Sequence, residues 1–171
     1  MNVQRLYYKS FDEMMMCPLS LSGIVIGKSM LGLIRGLISC FLIYTLGLFL
    51  AEDLVLSPMV VISIVVSCMT FSLLGMAAAL LAKSHQSMAT LNSLIILPMT
   101  FLCGTFFSVS SLNPIFQAIL YCMPLTHASE IIRAAALPDY LEFPWISLAV
   151  LIAFGIAFFI LDYYLLKTRK V

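Results

Sequence analysis

The chain reads as long apolar stretches separated by short polar ones, and their lengths define its elements. A helix needs about 20 mostly apolar residues to cross a bilayer. Four stretches meet that length: 29–51, 59–82, 88–107 and 145–166. The first contains one charge, Arg35, near its start, and the last contains one, Asp162, near its end. The second and third carry no Asp, Glu, Lys or Arg. Glu52 to Pro58 and Lys83 to Ser87 make short connections.

The segment 108–144 is long, itself rather apolar, and broken by Pro114, Pro124, Pro138 and Pro144. Ile115 to Met123 predicts a short helix, with Pro114 suited to a first helical position. Thr126 to Leu137 predicts a second, stopped by Pro138. Such pieces enter a bilayer only where protein or a water-filled cavity satisfies their ends. The expectation is a re-entrant helical pair.

At the other end, Val3, Tyr7, Phe11 and Met14 recur at spacings of three and four, which places them on one helical face. Arg5, Lys9, Asp12 and Glu13 take the remaining faces, and Pro18 ends or turns the helix. The segment 1–22 therefore predicts an amphipathic helix at the membrane interface or against a partner. The same four charges interrupt the region where a signal peptide would need its apolar core. The fold class expected is an all-α membrane protein in a single membrane domain. It has about four transmembrane helices, an N-terminal cytoplasmic amphipathic helix and an external re-entrant pair.

Composition agrees. Of 171 residues, 63% are hydrophobic and 10% charged. That is too few charges for a water-exposed surface, since soluble domains carry roughly 25%. Charge then orients the spans. With both termini cytoplasmic, eight of the nine basic residues fall inside or at the inner edge, and only Arg133 falls outside. Five of the eight acids (Glu52, Asp53, Glu130, Asp139, Glu142) face outward. The localisation expected is a multi-pass protein of the cell membrane. A net charge of +1 gives no electrostatic case for nucleic acid.

Candidate chemistry is sparse. Cys17, Cys40, Cys68, Cys103 and Cys122 are widely spaced, without the clustering a metal site needs, and read as small hydrophobes. No cofactor is expected. Arg35 is expected to snorkel from the inner end of the first span. Asp162 is expected to pair with Lys167 or Arg169 at the inner interface. His127, Glu130 and Arg133 lie three apart and line one helical face. That stripe reads as organising the outer segment, with an acid–base pair of His127 and Glu130 as the other reading. Gly32-x-x-x-Gly36 permits close helix packing. There is no nucleophile motif and no phosphate-binding G-x-x-x-x-G-K-[ST] loop, so ATP-driven work would need a nucleotide-binding partner on another chain.

Two stretches together resemble the type-2 ABC exporter permeases, which include drug, polysaccharide and nodulation-factor exporters. One is Ser10-Phe11-Asp12-Glu13-Met14-Met15-Met16-Cys17-Pro18-Leu19-Ser20 followed by Ile24 to Lys28. Asp12 stands where the family usually has glutamate, and Cys17 where threonine is frequent. The other runs from Leu97-Pro98 through Cys103-Gly104-Thr105-Phe106-Phe107 and Asn113-Pro114 to Met123-Pro124-Leu125-Thr126-His127 and Ile132-Arg133. It is similar to the family's "P…L-S-G-x-x-F…P…P-L-T-H…I-R" signature, with Cys103 replacing serine.

The resemblance implies a permease subunit that dimerises with a second permease subunit and is driven by a separate ABC ATPase subunit, and that is not itself an enzyme. It implies that 1–22 is the coupling helix, with Asp12, Glu13, Arg5, Lys9 and Pro18 as the ATPase-coupling residues. It implies that Pro114, Pro124, Thr126, His127, Glu130 and Arg133 belong to an external gate. The family usually has six spans, and this chain resembles only the later part. The expectation is a chain truncated at its N-terminus or completed by another polypeptide. The other functional readings are a membrane enzyme acting on lipids and a non-transporting fragment or scaffold.

Overall fold

The computed structural model describes residues 20–50, 57–82, 85–102, 117, 120–136 and 143–169. The amphipathic helix expected over 1–22, with Arg5, Lys9, Asp12, Glu13 and Pro18, lies outside the described residues apart from its last three positions. Pro114 lies outside them too.

All regular structure among the described residues is helical: α1 (Leu21–Leu50), α2 (Pro58–Leu81), α3 (His85–Leu91), a π-helical turn (Asn92–Ile96), α4 (Leu97–Leu102), α5 (Pro124–Ala136) and α6 (Trp145–Arg169). Three of these are long and apolar enough to cross a membrane, over Ser22–Gly47, Pro58–Leu81 and Trp145–Thr168. The protein is an all-α membrane protein.

Local chemistry sets the ends and the break. Ser57 caps α2, accepting from the Met59 amide at 3.3 Å, and Pro58 occupies the first turn, where no amide partner is lost. The π turn ends two residues before Pro98, whose ring obstructs the carbonyl one turn back and which has no N–H to offer it.

The packing runs α1 against α2, α2 against α6 and α5, α5 against α6, and α1 against α6. Ile24 and Val25 of α1 share a core with Leu73, Met76 and Leu80 of α2 and Leu166 of α6. The start of α1 thus meets the ends of α2 and α6, so α1 is antiparallel to α2 while α2 and α6 run parallel. The Gly32-x-x-x-Gly36 spacing works inside this chain. A Cβ at Gly36 would stand 2.9 Å from Cys68 Sγ, and one at Gly32 would stand 2.9 Å from Ser72 Cβ. The Ser72 hydroxyl uses that proximity to donate to the Ser29 carbonyl at 2.8 Å.

Elsewhere the surface is apolar. Ile34, Ile38, Phe41 and Leu46 of α1 and Ile152, Ile156 and Ile160 of α6 are exposed, as suits residues facing lipid. Hydroxyls inside the helices bond back to their own backbone: Ser29 to Val25, Thr45 to Phe41, Ser67 to Ser63 and Thr168 to Tyr164. Where water is absent, that removes the cost of an unmet donor.

Candidate functional site

Residues 120–136 form an elbow. The chain is helical at Gln117, Leu120 and Tyr121, turns at Cys122 and Met123, and resumes as α5 at Pro124. Pro124 has no amide to continue the first helix, so carbonyls on its last turn lose their ordinary acceptor role. The structure returns them partners from α5. Thr126 Oγ1 donates to the Leu120 carbonyl at 2.6 Å, and the Met123 amide reaches the same oxygen at 2.9 Å. His127 Nε2 lies 2.9 Å from the Tyr121 carbonyl. A carbonyl only accepts, so Nε2 carries the proton. The other ring nitrogen, Nδ1, is buried without a hydrogen-bond partner.

The elbow is wedged between α2 and α6. Ala128 and Ile131 pack with Leu151 of α6, and Val66 and Phe71 of α2 pack against that cluster. Val66 is eight residues and Phe71 thirteen residues beyond Pro58. At about 1.5 Å per residue, α5 therefore sits about 12–20 Å along α2 from its start. Glu130 points to α6, where the Ser147 hydroxyl donates to its carboxylate at 2.6 Å. Arg133 is half-buried one turn further on.

His127 and Glu130 are therefore engaged separately, the first with the backbone of the elbow and the second with α6. No hydrogen bond joins them, and Nδ1 of His127 does not reach the Glu130 carboxylate. Ser147 is the partner of Glu130 that the sequence does not disclose. Its hydroxyl in the first turn of an apolar helix gives no sign of a partner seventeen residues earlier.

Two charges within the spans depart from expectation. Asp162 is fully buried, with neither carboxylate oxygen hydrogen-bonded among the described residues, while Lys167 is exposed. The interfacial pair with Lys167 does not form, because five residues at about 100° each place the two side chains on different sides of α6. Arg35 is not near the end of its helix. It lies 14 residues beyond Leu21 and 15 before Leu50, because α1 begins well ahead of the expected span. Its neighbour Gly36 abuts Cys68, ten residues beyond Pro58 and thirteen before Leu81. Arg35 is level with the middle of α2.

Two further features lie on α3, the π turn and α4. Gln86, Thr90 and Ser93 recur at helical spacing and line an open groove of about 610 Å³ on α3 and the π turn. That polar stripe was legible in the sequence as a 3.6-residue period of uncharged polar groups. Phe101 is exposed on α4. Phe106, Phe107 and Phe116 lie outside the described residues.

The family model described as ABC-2 type transporter matches residues 8–137. Nodulation protein J of Neorhizobium galegae is 30% identical over 138 residues, covering 76% of this chain and 50% of its own length. The inner membrane transport permease YadH of Escherichia coli K12 is 24% identical over 166 residues, covering 96% of this chain and 64% of its own. Nodulation protein J of Rhizobium leguminosarum bv. viciae is 28% identical over 169 residues, covering 94% and 62%. The chain thus spans between half and just under two thirds of the length of these relatives. No solved structure is matched.

Proposed function

The chain belongs to the ABC-2 type transporter family, and from that premise we propose that it is the permease subunit of an ATP-driven exporter in the cell membrane. It carries no ATP-hydrolysing centre of its own; a separate ABC ATPase subunit supplies the work. Two permease subunits form the working unit, and both termini of this one face the cytoplasm. ATPase movement enters through the coupling helix, 1–22, by way of Asp12 and Glu13, with Arg5, Lys9 and Pro18 as further coupling residues. The re-entrant segment within 108–144 closes the outer mouth.

The observation that carries the gate reading is the elbow. A proline-broken backbone about 12–20 Å along a membrane helix is tolerated only when its carbonyls are met by protein. Thr126 and His127 do that for Leu120 and Tyr121, and Glu130 ties α5 to α6 through Ser147. The elbow thereby follows α6 when that helix moves. The separate engagement of His127 and Glu130 weighs against an acid–base pair acting on lipids.

The test is capture of a candidate ATPase by the detergent-solubilised chain, wild type against Asp12→Lys/Glu13→Lys. Co-purification that the charge reversal abolishes supports the exporter reading. Failure of the wild-type chain to retain any ATPase overturns it.

A further inference from the structure

Cys40 of α1 and Cys68 of α2 are free thiols whose sulfur atoms lie 3.9 Å apart. The helix contact brings them together. Gly36 stands one turn before Cys40 and has no side chain, so Cys68 Sγ sits 2.9 Å from where a Cβ would be. Both cysteines are half-buried at the middle of the α2 span, Cys68 being ten residues beyond Pro58 and thirteen before Leu81. Cys40 also lines an apolar cleft of about 240 Å³ with Leu37, Phe41, Val60, Val61 and Ile64. Phe41 and Val61 are exposed, so the cleft opens toward lipid.

The spacing selects the kind of centre that two such thiols can hold. A bond from sulfur to a central atom is about 2.3 Å, the zinc–thiolate length. Two such bonds end to end, as in a linear centre, span about 4.6 Å. At the roughly 120° of a three-coordinate centre they span about 4.0 Å, which matches the observed 3.9 Å. The pair thus supplies two ligands of three. Zinc takes four, and no cluster of three or more His, Cys, Asp or Glu that could hold a metal occurs among the described residues. Charge narrows the choice further. Copper(I) on two thiolates carries a net negative charge, which is costly inside an apolar span. Trivalent arsenic with one organic group and two thiolates is neutral.

We propose that Cys40 and Cys68 form a chelating site for a trivalent organoarsenical, its organic group lying in the cleft beside Cys40. An apolar cavity of about 150 Å³ holds benzene, so the cleft has room for one aryl ring. The reaction is a ligand exchange without oxidation or reduction. An aryl arsonous acid, with two hydroxyls on arsenic, gains two As–S bonds and loses two As–O bonds. Each thiol hydrogen leaves with one hydroxyl as water. The product staples α1 to α2. The site does not depend on the exporter reading.

The experiment uses the full chain in phosphatidylcholine nanodiscs and phenylarsine oxide, whose hydrated form is phenylarsonous acid. Intact-protein mass reports how much of the phenylarsenic group is retained as 2-mercaptoethanol is raised. That monothiol strips adducts held by a single cysteine and spares a chelate. Wild type and Cys17→Ser/Cys103→Ser/Cys122→Ser are expected to keep one group per chain. They hold it to about a hundredfold higher monothiol than Cys40→Ser or Cys68→Ser, the lower end of the gain from a second linked contact. Dimercaptopropanol, a chelating dithiol, releases it. Val61→Trp fills the cleft, so it weakens retention of the phenyl compound and leaves that of inorganic arsenite unchanged. Circular dichroism confirms that each variant folds; should one single-serine variant fail, the other carries the comparison.

Release from wild type at the same monothiol concentration as from the single-serine variants overturns the proposal. Loss of retention in the variant that keeps only Cys40 and Cys68 overturns it as well, since the site then lies elsewhere. Undiminished phenylarsenic retention by Val61→Trp overturns the placement of the organic group in the cleft.

Discussion

His127 Nε2 bonds the Tyr121 carbonyl at 2.9 Å across the break at Pro124. A side chain six residues ahead thus does for the backbone what a continued helix would have done. The arrangement adds two side chains, Thr126 and His127, to the main-chain bonds that hold the elbow.

Thr126→Val keeps the shape of the side chain but removes the donor to Leu120. His127→Phe does the same for Tyr121. Each is expected to lower the stability of the solubilised chain by about 0.5–1.5 kcal/mol, the net worth of one hydrogen bond. Thermal melts followed by helical circular dichroism measure this. The double variant should fall short of the sum, because the first loss already loosens the elbow that the second one stabilises.

Ser147→Ala removes the hydroxyl that donates to Glu130, whereas Glu130→Gln leaves an oxygen to accept it. The alanine variant should cost about 1.5–3 kcal/mol, in the range of bonds to a charged group, and the glutamine variant less. A double-mutant cycle between the two positions is expected to give a favourable coupling energy. Zero coupling would show that the 2.6 Å contact does not tie α5 to α6 in solution.

Cys40 Sγ and Cys68 Sγ lie 3.9 Å apart between α1 and α2. Oxidation by copper phenanthroline should join them with loss of two hydrogen atoms, the two electrons passing to the copper oxidant. Intact-protein mass and peptide mapping report the bond, and Cys40→Ser abolishes it. Absence of a 40–68 peptide from the oxidised wild type would contradict the α1–α2 register.

Gly36→Leu and Gly27→Leu make a matched pair on one helix. At Gly36 the new side chain meets Cys68, with its Cβ 2.9 Å from the sulfur, whereas at Gly27 nothing lies within 4 Å. The first should destabilise by about 1–3 kcal/mol, the usual range for overpacking. The second should fall within about 0.5 kcal/mol of wild type, as an uncrowded surface position does. Equal effects would mean that α1 rotates about its axis relative to the structure.

The sequence made some of this legible and hid the rest for identifiable reasons. Apolar length revealed helices where α2 and α6 stand, because burial in lipid demands it of any spanning segment. The break near Pro124 was legible because proline removes a donor wherever it sits. Which face of a helix packs inward was not legible, because these helices are apolar all round and carry almost no periodic signal. Asp162 therefore read as an interfacial residue though it is buried. Arg35 read as terminal because Lys28 and the polar residues before it suggested that the span starts later, whereas α1 begins at Leu21. The Glu130–Ser147 contact joins two elements that only the tertiary fold brings together.

Along α1 and α2, Gly32 meets Ser72, Gly36 meets Cys68, and the Ser72 hydroxyl grips the Ser29 backbone. Sliding one helix past the other would drive side chains into the glycine notches and tear that grip. The two helices are therefore expected to move as one lever: a push delivered at Leu21 is shared by both rather than lost as slippage between them.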